Sequence, residues 1–280
     1  MPTITKQVKQ QTNHRLTTSV GKGGSAWDLV ASLRILLYGQ SGTGKTTFAA
    51  TMPGPILWLI CSGGNKPGEM RSIDTPEYRK KITPVVINSS ADFRANLPTD
   101  GGDYATIVLD HATGFADLLL KEILGIDELP AQKGWGLAQQ QQYGQLALMC
   151  KESFRAMLNL PMHVVIIAQE RTFGDDSSNS DIIKPTIGAA LTPSVTGWLN
   201  PACDFVLQTY KRPRMEETIT KVAGKEIRQL KRGKGVEYCL RTEAHDVYQT
   251  KVRVPKGIEL PECITDPDYD KLMAIISGEG

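Results

Sequence analysis

The chain has 280 residues, 40% of them hydrophobic, and a net charge of +2. That length buries a full core, and so mild a charge excludes a uniformly basic nucleic-acid binder, leaving electrostatics to local clusters. Its five cysteines (Cys61, Cys150, Cys203, Cys239 and Cys263) are odd in number, widely spaced and never arranged C-x-x-C, which excludes a disulfide framework and an ordinary zinc site.

Residues 1–30 are polar, glycine-containing and mildly basic, and predict a flexible arm. One α/β domain is expected over residues 31–280, with a core over about 33–210 and an extension of strands and a closing helix over about 211–280. The amino terminus lacks an apolar leader, and no run of about 18 apolar residues occurs. A cytoplasmic protein without a membrane partner is expected.

From Arg34 onward, short apolar runs alternate with helical stretches. "RILLY", "PILWLI", "TPVVI", "ATIVLD" and "HVVIIAQ" read as buried strands bounded by turn residues. Gly44 to Met52, Gly114 to Leu124 and Leu137 to Leu158 read as helices, the last carrying Leu146, Cys150, Phe154 and Met157 at three-to-four spacing. Such alternation predicts a mostly parallel sheet covered on both faces. Beyond Asp204, "FVLQTY", "VEYCLRT" and "VYQTKVRV" resemble antiparallel strands that extend the sheet, and Asp266 to Ser277 reads as a helix.

Directly behind the first strand stands "GQSGTGKTTF", which matches G-x-x-x-x-G-K-[ST] in the strand-to-helix setting that gives the pattern its meaning. Polyphosphate oxygens must be met by several backbone N–H groups at close range, and glycines permit that approach. Gly39, Gln40, Ser41, Gly42, Thr43, Gly44, Lys45, Thr46 and Thr47 are therefore the candidate ATP-binding residues. Lys45 supplies a point charge to the β and γ phosphates, and Thr46 a hydroxyl ligand for Mg²⁺. Asp110, closing "TIVLD", is the candidate second magnesium position; its alternative is a helix cap before "HATGF". No N-K-x-D guanine-reading motif occurs, which disfavours a GTPase.

These stretches, with "IVLDHATGFADLLLKEIL", "VVIIAQE", "CDFVLQTY" and the late "KVRV", resemble the RecA-like ATPases, and within them the phage-encoded Sak group of single-strand-annealing proteins. The resemblance covers about residues 33–255 and implies a RecA-like P-loop fold, a homo-oligomeric ring or filament, single-stranded DNA as ligand, a single-stranded-DNA-binding protein as a further partner, and the host-cell cytoplasm as location. It implies that Lys251 and Arg253 reach the γ-phosphate of a neighbouring subunit; as a bare pattern, K-x-R also describes two exposed cations on an edge strand. It makes Gln169 a γ-phosphate sensor, followed by a DNA-binding loop flanked by Arg171 and Lys184. A companion loop, "DELPAQKGWG", would offer Lys133 to phosphate and Trp135 to a base, or Trp135 to the core.

Between Lys211 and Lys234 lie nine basic and three acidic residues, net +6, leaving −4 for the remaining chain. Such a segment is the electrostatic footprint of a phosphate-tracking surface, with Arg228, Lys231, Arg232 and Lys234 as candidate contacts; a solvated hairpin is the alternative. The pattern departs from RecA-like ATPases at "LWLICSGGNKPGEM", where Cys61 and Ser62 stand in place of the catalytic glutamate. Glu69 and Glu170 are the candidate substitutes, and a weak ATPase is expected. The competing readings are a small-molecule phosphotransferase, a packaging or helicase motor, and a non-hydrolysing protein that ATP cements into an assembly.

Overall fold

A computed structural model of the protein describes residues 32–61, 68–99, 102–129, 138–174, 185–222 and 225–279, without the side chains of 69, 216–222 and 225–231. The first strand, β1 (Arg34–Gly39), determines the architecture. Ile35 and Leu37 point to one face and Leu36 and Tyr38 to the other, and all four are fully buried. A strand apolar on both sides requires cover on both sides and neighbours on both edges.

β1 pairs in parallel with β5 (His163–Phe173) on one edge and with β7 (Phe205–Val222) on the other. β4 (Thr106–Asp110), β2 (Ile56–Ile60) and β3 (Ile82–Val86) continue the parallel sheet beyond β5, giving the order β3-β2-β4-β5-β1-β7. Beyond β7 the pairing turns antiparallel, through β8 (Lys225–Arg241) to β10 (Cys263–Thr265). Two short strands join at the sides: β6 (Thr186–Ala189) on β5 and β9 (Lys251–Val252) on β7.

Helices α4 (Ala112–Leu124), α5 (Gln140–Leu158) and α6 (Pro193–Ala202) cover one face, laying Phe115, Phe154 and Leu199 against Leu36, Leu59 and Leu109. On the other face α1 (Lys45–Thr51) and α7 (Tyr269–Ser277) bring Phe48 and Leu272 onto Ile35, Leu37 and Trp58. This is the expected α/β arrangement of a mostly parallel sheet covered on both faces, with β5 inserted between the strand that precedes the glycine-rich loop and the strand that ends in Asp110. The register sets Gly39 opposite Gln169 and Asp110 opposite Ile167, so β1 and β4 end on either side of the same stretch of β5. In open parallel sheets, ligands bind outside such carboxyl ends.

Two short helices were not legible in the hydrophobic pattern: α2 (Pro76–Lys81) and α3 (Ser90–Ala95). Each begins with a side-chain cap, Thr75 accepting from the Tyr78 amide and Ser89 from the Asp92 amide. The charged stretch after Tyr210 continues both strands into a long hairpin, with a register shift between Pro213 and Met215. β5 likewise runs past Gln169 to Phe173 because β6 pairs with its last four residues.

Candidate nucleotide-binding site

Where β1 ends, at Gly39, β7 passes too close for anything larger than glycine; a Cβ there would overlap the carbonyl oxygen and hydroxyl of Thr209. The next turn is tied by Thr43, whose hydroxyl donates to the Gln40 carbonyl (2.7 Å) and shares a hydrogen bond with the Thr209 hydroxyl (2.7 Å). Gly44 then sits at φ 92°, a left-handed conformation that suits glycine, immediately before the first turn of α1. Residues 41–44 of the loop and the first turn of α1 thus line the same cavity, where polyphosphate binding would place their amides.

Lys45 is only 7% exposed, and its Nζ donates to the carbonyls of Gly39 (2.8 Å) and Gln40 (2.7 Å). Burial pushes its pKa down to about 8, opposed by the charges of Asp110 and Glu170. Thr46 Oγ1 donates to Asp110 Oδ2 at 3.2 Å, and Asp110 is 3% exposed. These residues line, with Gln169 and His111, a cavity of about 600 Å³, within the ordinary range for nucleotide-sized ligands. His111 caps α4, its Nδ1 accepting from the Gly114 amide (2.8 Å), which leaves Nε2 as the protonated nitrogen of the neutral ring.

The donor set fits a magnesium-bound nucleotide. Thr46 and Asp110 offer one hydroxyl and one carboxylate, and no group of three or more metal-ligating side chains occurs among the described residues. Magnesium that arrives on phosphates needs only one or two protein oxygens and supplies neutralisation of phosphate charge. In that arrangement Lys45 would exchange the carbonyls of Gly39 and Gln40 for phosphate oxygens, and the loop amides would orient the chain of phosphates.

The depressed Lys45 pKa gives a pH signature. A bound polyphosphate raises the pKa again, so below about pH 8 the amine is charged in both states, and affinity is insensitive to this group. Above that value binding must take up a proton, and affinity falls by up to about tenfold per pH unit. Calorimetry of ATP binding in buffers of different ionisation enthalpy is expected to show close to one proton taken up at about pH 9 and almost none from Lys45 at about pH 7.

The expected acid after β2 is replaced by Cys61, a buried thiol whose pKa burial pushes up, and residues 62–67 lie outside the described residues. Glu170, by contrast, reaches the loop. Its Oε1 accepts from Gln40 Nε2 (3.3 Å) and its Oε2 from Gln208 Nε2 (2.9 Å). Gln208 is oriented in turn by Arg241, whose Nε donates to Gln208 Oε1 (3.1 Å) while its guanidinium stacks over Tyr210 and Tyr248. The Glu69 side chain is outside the described residues; its backbone lies in a 3₁₀ turn, Gly68–Ile73.

Lys251 and Arg253 are placed away from this cavity. Lys251 Nζ donates to the carbonyls of Asn200 (3.0 Å), Pro201 (3.0 Å) and Cys203, and Arg253 pairs with Asp204 (3.0 Å) and donates to Pro201 O (3.1 Å). Within the chain they close the carboxyl end of α6, where cations are favoured. β9 meets the start of β7 at Phe205 and Val206, whereas the loop meets it at Thr209.

Of the candidate DNA contacts, Arg171 is exposed near the end of β5, its guanidinium 5.6 Å from the Phe173 ring centre. Arg232 and Lys234 are exposed on β8. Arg228 and Lys231 belong to the same strand, their side chains outside the described residues, as are Lys133, Trp135 and Lys184 altogether.

The sequence reading missed Thr209, Gln208 and Arg241, which brace the loop and Glu170, and Tyr238, Asp266 and Pro267, which close the cavity. Their separation from the loop in sequence left no local signal; the neighbourhood exists only because β7 pairs with β1.

No helix among the described residues is long and apolar enough to cross a membrane. Comparison with curated protein sequences finds no match. Among solved structures the chain is similar to the flagellar accessory protein FlaH from Methanocaldococcus jannaschii (7% identity, 84% of this chain and 91% of that one, TM-score 0.37). It is similar also to a KaiC-like protein from Pyrococcus horikoshii OT3 (13%, 84% and 89%, 0.38) and to the RadB recombinase (15%, 75% and 87%, 0.37). The model of a family described as AAA domain matches residues 31–254, nearly the whole stretch that builds the sheet and the loop. With the lysine, threonine and aspartate of a phosphate cradle in place within that span, the chain belongs to the AAA domain family of P-loop ATPases.

Proposed function

We propose that this is an ATP- and magnesium-dependent, RecA-like recombination protein of the phage Sak type, which assembles as a homo-oligomeric ring or filament and binds single-stranded DNA to promote annealing. The P-loop cavity, with Lys45, Thr46 and Asp110 converging on it, carries the nucleotide part of this reading. The basic hairpin of β7 and β8 supports the DNA part: it extends past the sheet, and exposed Arg232 and Lys234 stand in the segment that holds the chain's positive excess.

Single strands are held by cationic grooves together with aromatic platforms. Arg171 on its phenyl ring, and Lys133, Trp135 and Lys184 in their loops, are the proposed further contacts. ATP at the subunit interface would couple assembly to DNA affinity, with Lys251 and Arg253 exchanging part of their hold on α6 for a neighbour's γ-phosphate. The domain over residues 31–280 would be the assembling unit and the first 30 residues an arm, working in the cytoplasm beside a single-stranded-DNA-binding protein.

Glu170 is the proposed water-orienting group, and turnover is expected to be slow. The cysteine at the usual glutamate position favours one alternative, a protein in which ATP cements subunits without being split.

The test is oligonucleotide binding titrated against salt, with and without ATP. The expected result is tighter binding with ATP, and a log–log salt slope of roughly −0.7 for each phosphate neutralised. Replacing Arg232 and Lys234 by alanine should make that slope shallower by one to two such contacts. Binding that is absent or indifferent to salt removes the recombination reading.

A further inference from the structure

One wall of the cavity has no part in holding phosphate. Tyr238 lies on β8, between Glu237 and the buried Cys239 and Leu240, yet its own side chain remains 40% exposed. Its ring lies over the backbone of the P-loop: a Cβ on Gly44 would stand 3.3 Å from Tyr238 Cδ1. The same cavity is bounded further out by Asp266 and Pro267.

This wall is held firmly. The Asp266 amide donates to the Tyr238 carbonyl at 2.7 Å, and Lys271 Nζ donates to the Asp266 carbonyl at 2.6 Å. Asp266 is the non-glycine residue with positive φ (45°) among the described residues, a conformation that persists only where its surroundings enforce it and that clusters at ligand clamps. The tyrosine and the proline thus contribute two apolar rings to the cavity lining, beside the polar phosphate cradle.

Such a surface contributes nothing to phosphate recognition, which needs donors and charge, but it matches the aromatic face of a nucleobase. We propose that Tyr238 is the stacking platform for the base of the bound nucleotide, with Pro267 beside it. The inference rests on the P-loop reading and deepens it, because it makes the site one for a nucleoside triphosphate rather than for any polyphosphate. It also places the nucleoside in contact with the root of the basic hairpin, since Tyr238 and Lys234 share β8.

The experiment is calorimetric titration of the full chain with ATP and with inorganic tripolyphosphate, each with Mg²⁺, for the parent, Tyr238→Ala and Tyr238→Phe. The parent should bind ATP more tightly than tripolyphosphate. Tyr238→Ala should weaken ATP by roughly tenfold or more, as loss of one base–aromatic stack does, and leave tripolyphosphate within about twofold. Tyr238→Phe, which keeps the ring, should restore ATP to near the parent value. Equal weakening of both ligands by Tyr238→Ala, or no weakening of either, overturns the platform. Parent affinity for ATP no greater than for tripolyphosphate overturns it too while leaving the P-loop reading intact. Failure of the folded parent to bind either ligand overturns the P-loop reading, and the platform with it.

Discussion

Lys45→Ala is expected to weaken ATP binding severely without unfolding the protein. Truncating one partner of a buried, hydrogen-bonded charge pair costs about 2–5 kcal/mol, which weakens ATP by roughly 30-fold to several-thousand-fold. The empty protein should behave differently. In the free site Lys45 is desolvated, and its partners are the carbonyls of Gly39 and Gln40, with the charges of Asp110 and Glu170 nearby. Because its folded pKa is lowered to about 8, the folded state holds this proton less firmly than the unfolded chain, and stability rises as pH climbs from about 8 towards the ordinary lysine value. At neutral pH the charged amine therefore costs the fold on the order of 3 kcal/mol, partly recovered in its hydrogen bonds and packing. Removing it should leave the empty protein melting no lower than the parent at about pH 7, and should sharply reduce the rise in Tm that a fixed ATP concentration gives the parent. Thermal melts with and without ATP check both statements. A variant that melts lower yet still gains stability from ATP would show that the phosphates lie elsewhere.

The glycine-rich loop was legible because each requirement is local: an apolar strand before it, glycines within it, a lysine and hydroxyls after it. Asp110 was legible for a related reason, since a carboxylate ending a buried apolar run sits at a carboxyl edge whatever the strand order. The strand order itself carried more than the pattern could tell. Insertion of β5 between β1 and β4 brings Gln169 and Glu170 to the loop, and parallel pairing of β7 with β1 brings Thr209 and Gln208 there. Such long-range pairings leave no periodic trace, so Thr209, which makes Gly39 obligatory, looked like an ordinary strand residue. Tyr238 and Asp266 were hidden for the same reason, being joined by an amide-to-carbonyl bond across antiparallel strands. The K-x-R pair carries the opposite lesson. Its chemistry was plain in the sequence, but inside the chain both side chains are engaged by the end of α6.

Glu170→Gln should slow ATP turnover by a factor of about 10² to 10⁴ while changing ATP affinity only a few-fold. The substitution keeps the size of the side chain and its place on β5 but removes the negative charge that, in the proposed role, would take a proton from, or orient, an attacking water. Geometry supports this role for Glu170. Its carboxylate is already within hydrogen-bonding distance of Gln40 in the loop, and Gln208, itself oriented by Arg241, fixes its other oxygen. Its charge acts on Lys45, which places it in the electrostatic field of the phosphate cradle. Cys61 cannot serve instead, because burial pushes its thiol pKa up and keeps it protonated. Disturbing the brace should reproduce part of the effect: Arg241→Ala releases Gln208 and lets the carboxylate swing, so turnover should drop with little change in ATP affinity. Single-turnover hydrolysis under saturating ATP and DNA, measured beside equilibrium binding, separates the two quantities. Full turnover in Glu170→Gln together with its loss in Glu69→Gln would move the role to the 3₁₀ turn after β2. A parent protein that binds ATP, assembles and never splits it would assign the nucleotide to cementing subunits, with Glu170 left as a structural partner of Gln40 and Gln208.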